Sequence, residues 1–302
     1  MGDDICHSID SHSIWSSLSV IIINIFLVIV IAPIIGGLLF GLDRKLTARL
    51  QKRIGPPLLQ PFYDLFKLFG KGRIAANQFQ LISVSVYIAC TILSLILMMT
   101  GQDMLVLLFV LALGHIMLIL GGFSVRSPYS QIGSQREILQ LMAYEPLLVF
   151  MVIGTYLKTG SFLVSNLMTG PYKPLLFSLP AFLLTQIIVI AIKLHKSPFD
   201  ISASHHAHQE LVRGIYTEFS GAQLALIELA HWYELILLMG FIALLWQTNL
   251  IIGGFIAFAC FLAVILLDNI TARMTWKWMI RFAWTFGVGI SVANLAVIYI
   301  SR

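Results

Sequence analysis

Glu228, His231 and Glu234 recur at intervals of three inside an otherwise apolar stretch (221–246). On a helix this spacing keeps neighbouring side chains on one side of the axis, so the three form a ladder. A charge at mid-bilayer costs about 2.5 to 3.5 kcal/mol on the insertion scale, so two acids and a histidine in one apolar stretch imply a polar cavity and proton or ion passage. The plainer alternative is an interhelical hydrogen bond made by protonated acids. Glu145 stands in a second apolar stretch, followed by Pro146, whose ring breaks the backbone bonding and leaves a carbonyl free at that level. His115, alone in an apolar run, reads as a satisfied core histidine.

The densest chemistry lies between these stretches, in His195, Lys196, Pro198, Phe199, Asp200, His205, His206, His208, Glu210, Arg213, Tyr216 and Glu218. Imidazole with carboxylate suits zinc or iron. Neither an HExxH motif nor a paired-cysteine framework accompanies them, however. A water-linked relay of histidines and carboxylates, feeding protons toward the 221–246 stretch, fits these residues better than a metal site.

The elements that must position these groups follow from composition. Of 302 residues, 59% are hydrophobic and 11% charged, against about 25% charged in soluble domains. The mean hydropathy of +0.91 excludes a soluble globular enzyme. Runs at 17–42, 81–100, 104–123, 137–157, 175–192, 221–246, 249–267 and 282–300 meet the roughly 20-residue length of a membrane crossing. The expectation is an all-α polytopic membrane protein, one domain over 1–302, with about eight spanning helices. Lys158, Lys173 and Arg302 fall on one set of connections, and the other 16 of the 19 basic residues fall on the other set. By the positive-inside rule the basic segments, about 43–80, 124–136, 193–220 and 268–281, are cytoplasmic and both termini lie outside. The net charge of +5 therefore reflects retained loops, not nucleic acid binding. Asp43 and Asp268 read as caps of helix ends on that side. Cys6, Cys90 and Cys260 include no C-x-x-C pair, so a redox cofactor belongs in another chain.

In the first basic segment, Gly55-Pro56-Pro57-Leu58-Leu59-Gln60-Pro61 cannot be regular helix. From Phe62, apolar residues recur as Phe62, Leu65, Phe66 and Phe69, with Asp64, Lys67 and Lys71 opposite. This predicts a short amphipathic helix lying in the interface, with Asp64 and Lys67 paired. Such a helix serves either as an anchor in the headgroups or as a floor beneath a cytoplasmic partner.

These segments resemble the NuoH membrane subunit of bacterial respiratory complex I. They resemble more closely its counterpart in energy-converting membrane-bound NiFe hydrogenases of the Ech, carbon-monoxide-induced and formate-hydrogenlyase type. The first family stretch is met by Arg53, Gly55, Pro56, Leu58, Leu59, Gln60, Pro61, Asp64 and Lys67, without the residues complex I inserts after the Gly-Pro. The second is met by Arg136, Gln140, Tyr144 and Glu145. The third is met by Pro198, Phe199 and Asp200, then Glu210, Leu211, Val212, Gly214, Glu218, Phe219 and Ser220. The intervening ISASHHAHQ is similar to the run of Ech-type hydrogenases. Lys193 stands where complex I usually has Glu, so that acid's role does not carry over.

The resemblance implies an anchor and ion-coupling subunit of a ferredoxin-dependent, hydrogen-evolving complex in a prokaryotic cytoplasmic membrane, with no catalytic centre of its own. The NiFe centre and iron–sulfur clusters would sit in partners: hydrogenase large and small subunits, a ferredoxin-like iron–sulfur subunit and an antiporter-like membrane subunit. Glu145, Asp200, Glu210, Glu218, Glu228, His231 and Glu234 would form a proton or sodium path, with His205, His206 and His208 as loop relay. Arg53, Gly55, Pro56, Gln60, Asp64, Lys67, Arg136, Lys196 and Arg213 would face partners. The alternatives are a quinone-chamber subunit of an NADH:quinone oxidoreductase and a purely structural anchor.

Overall fold

A computed structural model describes residues 11–72, 77–170, 174–200 and 213–300, with side chains from residue 22 onward. Among the described residues the regular elements are helical. They are α1 (Ser11–Leu50), α2 (Gln60–Phe69), α3 (Gln78–Met99), α4 (Met104–Phe123), α5 (Pro128–Thr159), α6 (Val164–Thr169), α7 (Leu175–Ser178), α8 (Pro180–Lys193), α9 (Ala222–Leu244), α10 (Leu250–Ile270), α11 (Trp276–Phe282) and α12 (Gly289–Ile300). A 3₁₀ turn, Gly214–Tyr216, precedes α9, and a π-helical segment, Ala283–Val288, joins α11 to α12.

Seven of these units are long and apolar enough to cross a membrane; the last is the continuous Trp276–Ile300. The fifth predicted crossing, 175–192, is divided. Leu179 breaks the helix between α7 and α8, and Pro180, which needs no N–H partner at a helix start, opens the 14-residue α8. Polar residues close the apolar runs where caps are needed. The side chains of Asn77, Asp103 and Asn249 accept from the amides of Phe79, Leu105 and Ile251 at the starts of α3, α4 and α10. α5 runs on through Pro146, whose missing N–H leaves a helical carbonyl without its usual donor. One expectation changes. Asp43 lies within α1, which continues to Leu50, rather than at its end.

The connections α1–α2, α4–α5, α8–α9 and α10–α11 share one end of the bundle, termed the basic side for the Lys and Arg they carry. Helices α3, α5 and α9 all start there. The proline-rich turn precedes α2 as predicted, and α2 lies across α1 and α9 with Leu65 buried against Ala225 and Trp232. The Phe62 ring meets Trp232 edge-on at 5.1 Å. Small residues permit this close approach: a Cβ on Gly41 would stand 2.0 Å from the Leu58 carbonyl oxygen.

The core joins residues from α1, α3, α4, α5, α8, α9 and α10. Tyr216 and Ile215 of the 3₁₀ turn sit in a second cluster with Val84, Tyr87, Leu118 and Phe219. The turn is held close to α5 because residue 133 has no side chain; a Cβ there would stand 2.3 Å from the Ile215 amide nitrogen. Gly133→Val is therefore expected to push the turn off α5. It should cost about 1–3 kcal/mol, the usual range for overpacking, read as a lowered melting temperature of the purified protein.

Candidate functional site

Twelve residues into α9, about 18 Å from its start, the Glu234 carboxylate is buried at the meeting of four helices. Its Oε2 accepts from the Tyr87 hydroxyl of α3 at 3.1 Å. Its Oε1 lies 2.5 Å from Lys193 Nζ at the end of α8 and 2.9 Å from His115 Nε2 of α4. Lys193 also contacts His115 Nε2 and lies over the Tyr144 ring of α5, 4.2 Å from its centroid. His115 donates through Nδ1 to the Leu111 carbonyl at 2.8 Å. That fixes Nε2 as the nitrogen that either accepts from Lys193 or, when protonated, donates to Glu234. Charge-assisted bonds of this kind offset the desolvation that a buried carboxylate and ammonium would otherwise incur.

A line of titratable groups runs from this centre to the basic side. Tyr87 faces the His231 ring at 6.2 Å between centroids. His231 Nε2 lies 3.2 Å from the Tyr216 hydroxyl. The His195 ring is 6.4 Å from His231 and 6.1 Å from Tyr216, and its Nε2 lies 3.2 Å from Glu137 Oε2 on α5. Burial, reinforced by the Glu137 and Glu234 charges, raises the Tyr216 pKa well above the ordinary phenol value. Its hydroxyl therefore stays protonated and able both to donate and to accept.

Below this line the segment after α8 is tied to three neighbours. Lys196 Nζ bridges Asp43 at 2.7 Å and Asp268 at 3.1 Å, and the Ser197 amide donates to Asp268 at 2.9 Å. Gln140 of α5 donates to the Phe199 carbonyl at 2.6 Å, and Arg273 pairs with Asp200 at 3.0 Å. Burial opposes the Lys196 charge, but the Asp43 and Asp268 carboxylates outweigh it and hold its pKa above the ordinary lysine value. The two aspartates thus act as one clamp across α1 and α10 rather than as separate caps.

A family model described as NADH dehydrogenase matches residues 22–299. A subunit of the NADH-quinone oxidoreductase of Dehalococcoides mccartyi (strain CBDB1) is 25% identical over 310 residues, spanning 94% of this chain and 86% of that protein. Component C of hydrogenase-4 from Escherichia coli (strain K12) is 30% identical over 218 residues, 67% of each chain. The chain belongs to the NuoH, or complex I subunit 1, family. It also shares its fold with a chain of the membrane-bound sulfane sulfur reductase, an archaeal respiratory membrane complex. The TM-score is 0.83 at 24% identity, over 92% of this chain and 99% of that one. As a NuoH-family chain it is a membrane subunit of a complex I-like respiratory or energy-converting complex, built to work with partner subunits.

The ladder expected on α9 does not close on itself. His231 turns to Tyr216, Glu234 turns to Tyr87, His115 and Lys193, and Glu228 lies half-buried nearer the basic side. Glu145 lies away from this centre, in a groove on the outer side of α5. Glu218 is half-buried just before α9, and Arg213 is exposed at the start of the 3₁₀ turn. His205, His206, His208 and Glu210 lie outside the described residues. Among the residues expected to face partners, Arg53 and Lys67 are exposed, Arg136 and the turn residues Gly55 and Pro56 are half-buried, and Lys196 is in the clamp. Asp64 pairs with Arg44 at 2.7 Å and Gln60 at 2.9 Å instead of with Lys67.

Tyr87, Glu137 and Lys193 join His195 and Tyr216 in this line through tertiary contacts. Their one sequence signal is a polar or charged residue within or beside an apolar run with no partner in its own segment. His115, read as a self-sufficient core histidine, is instead a direct partner of Glu234.

Removing one member of a buried pair leaves an uncompensated charge. Lys193→Met alone is expected to cost about 3–5 kcal/mol, and the Lys193→Met/Glu234→Gln double variant less than the two singles together, in a thermal-unfolding cycle on purified protein. For Lys196 the folded pKa lies above the unfolded one, so its contribution is complete below the ordinary lysine range and is lost as pH rises through the higher folded value. The melting-temperature gap between parent and Lys196→Met should therefore stay flat from about pH 6 to about pH 9.

Proposed function

We propose that this chain is the anchor and ion-coupling subunit of a ferredoxin-dependent, hydrogen-evolving NiFe hydrogenase complex, linking electron transfer in partner subunits to proton or sodium translocation. The observation that carries the reading is a line of titratable groups from Glu137 to the Glu234–Lys193–His115 centre, hydrogen-bonded at Glu137–His195, Tyr216–His231 and Tyr87–Glu234, with ring approaches of 6.1 to 6.4 Å between those pairs. The shortened Gly55–Pro61 turn, the SHHAHQE run and the likeness to hydrogenase-4 component C support the hydrogenase branch over the quinone branch.

A proton received by Glu137 passes to His195. It moves on to His231 with Tyr216 as a neutral relay, and through the Tyr87 hydroxyl to Glu234. Its arrival neutralises the carboxylate that pairs with Lys193, and the Lys193 ammonium, no longer paired, releases its proton onward. Asp200, Glu210, Glu218 and Glu228, with His205, His206 and His208, supply the entry to this line, and Glu145 lies on its far side. The basic side faces the cytoplasm, and both termini lie outside.

Hydrogen chemistry belongs to a NiFe centre and iron–sulfur clusters in the hydrogenase large and small subunits and a ferredoxin-like subunit. Among the described residues no three His, Cys, Asp or Glu side chains converge at metal-ligand spacing, and Cys90 and Cys260 are buried on separate helices. The residues described therefore do not fit such a group. Arg53, Gly55, Pro56, Gln60, Asp64, Lys67, Arg136, Lys196 and Arg213 mark the side on which the hydrogenase subunits dock, and an antiporter-like subunit lies beside the bundle.

A second reading, a subunit beside a quinone site, is favoured by the names of relatives such as the Dehalococcoides NADH-quinone oxidoreductase chain. The complex reconstituted in vesicles separates the two. Reduced ferredoxin is expected to yield hydrogen and an ion gradient, and Glu234→Gln to lower the gradient per hydrogen evolved at least about tenfold. An unchanged ratio would overturn the ion-coupling role. Quinone reduction without hydrogen evolution would overturn the hydrogenase assignment.

A further inference from the structure

Outside the line from Glu137 to Glu234, two glutamines at the basic side are buried without partners for their amides. Gln80, in the first turn of α3, is 0% exposed, and neither its Nε2 nor its Oε1 has a hydrogen-bond partner. Gln223, in the first turn of α9, is 6% exposed, and its Oε1 also has none. Buried amide groups of this kind are rare in folded proteins, and each calls for a bound water or ion.

Both glutamines lie on the faces that lead to the Glu234 centre. Gln80 stands about two turns before Tyr87 on α3 and Gln223 about three turns before Glu234 on α9, so each shares a face with the residue above it. Tyr87 and Glu234 are joined by a hydrogen bond of 3.1 Å. Val84 of α3 and Ile227 and Ala230 of α9 pack in one cluster below that bond. α4 comes close at this level because it carries a glycine: a Cβ on Gly121 would stand 2.9 Å from the Ser83 Cβ and 3.4 Å from the Phe219 ring. The Ser83 hydroxyl does not serve the glutamine amides, since it donates to the Gln80 backbone carbonyl at 2.9 Å. Below, α9 opens at Gly221, where a Cβ would stand 2.9 Å from the Gly72 carbonyl oxygen, so the segment after α2 rests against this end of the interface.

The unmet atoms are mixed in kind, one amide nitrogen and two carbonyl oxygens. A cation would satisfy the oxygens and leave the Gln80 N–H groups unmet, and an anion would do the reverse. Water both donates and accepts, and matches all three. We propose that Gln80 and Gln223 hold internal water at the basic-side end of the α3–α9 interface, and that this water is a second inlet for protons to Glu234 through the Tyr87 hydroxyl. The inlet is separate from the route through His195, Tyr216 and His231, which reaches the centre from the 3₁₀ turn. Between Gln80 and Tyr87 lie about 10 Å of helix and the Val84 side chain, a gap that a transient file of water crosses. The water site stands on the unmet amides alone, and its role as an inlet rests on the ion-coupling reading.

The test is X-ray hydroxyl-radical footprinting of the intact complex purified from native membranes, in which radicals formed at bound water oxidise the side chains beside it. Phe219 and Leu224, 3% and 6% exposed, are expected to be labelled at least about fivefold faster than Phe182, which is 0% exposed in the apolar core. The Gln80→Leu/Gln223→Leu variant is expected to lose that excess while the exposed Phe79 keeps its rate, and Gln80→Asn, which retains an amide, to preserve it. In vesicles the double variant should lower the gradient per hydrogen evolved at least about twofold. Labelling of Phe219 and Leu224 no faster than that of Phe182 would overturn the site, and this comparison needs no variant. Labelling that persists in the double variant, or that appears only when sodium is present, would overturn it as well. An unchanged coupling ratio in a variant that has lost the labelling would overturn the inlet. An unchanged ratio in Glu234→Gln would overturn the coupling reading and the inlet with it, and would leave the water site standing.

Discussion

A carboxylate held inside a membrane bundle must be compensated where it sits, and the arrangement of this protein follows from how Glu234 is compensated. Lys193 arrives from the end of α8, His115 from the middle of α4 and Tyr87 from α3, so one side chain on α9 ties together three other helices. Each partner is itself constrained. His115 is anchored by the Leu111 carbonyl, and Lys193 lies against the Tyr144 ring. Lys193 reaches inward because α8 ends there and the next residues are tied by Lys196, Ser197 and Phe199 to α1, α10 and α5. Packing and electrostatics are therefore one problem in this fold. The helices that bury the charge are the ones that supply its partners.

The same arrangement explains why a single chain can join a loop to the membrane interior. His195 and Lys193 are two residues apart, yet one meets Glu137 toward the basic side and the other meets Glu234 in the interior. The left-handed backbone at His195, with φ 49°, turns its side chain away from the direction of Lys193. The 3₁₀ turn adds Tyr216 to this junction. The missing side chain at Gly133 lets that turn rest directly on α5. A protonation change near the segment after α8 is thus separated from Glu234 by a few hydrogen-bond lengths, all within buried protein.

How much of this was legible in the sequence differs from element to element. The spans were readable because an apolar run of crossing length needs a nonaqueous surrounding along its whole extent. The amphipathic α2 was readable because its apolar residues keep helical spacing after a proline-rich turn. The split of the fifth predicted crossing into α7 and α8 was not marked by hydropathy, since Leu179 and Pro180 do not interrupt the apolar run. Glu234 and His231 stood out as polar residues in an apolar stretch. Lys193 was visible only as a departure from a family pattern, and His115 as an isolated histidine. What each of them pairs with depends on which helices become neighbours.

The sequence by itself determined the class of the protein, its family, the approximate position of nearly every crossing and the acids that stand at membrane depth. These properties reside in local composition and spacing, and they survive whatever the helices do next. Only the tertiary structure decided that Glu234 is an ion-paired centre rather than one rung of a ladder on α9, and that Asp43 and Asp268 share one lysine. It also decided that Glu145 looks outward into a groove while its neighbour Tyr144 looks inward. Those outcomes depend on rotation about each helix axis and on contacts between residues as far as 153 positions apart, as between Asp43 and Lys196. Periodicity along one segment carries no information about which face of another segment will meet it.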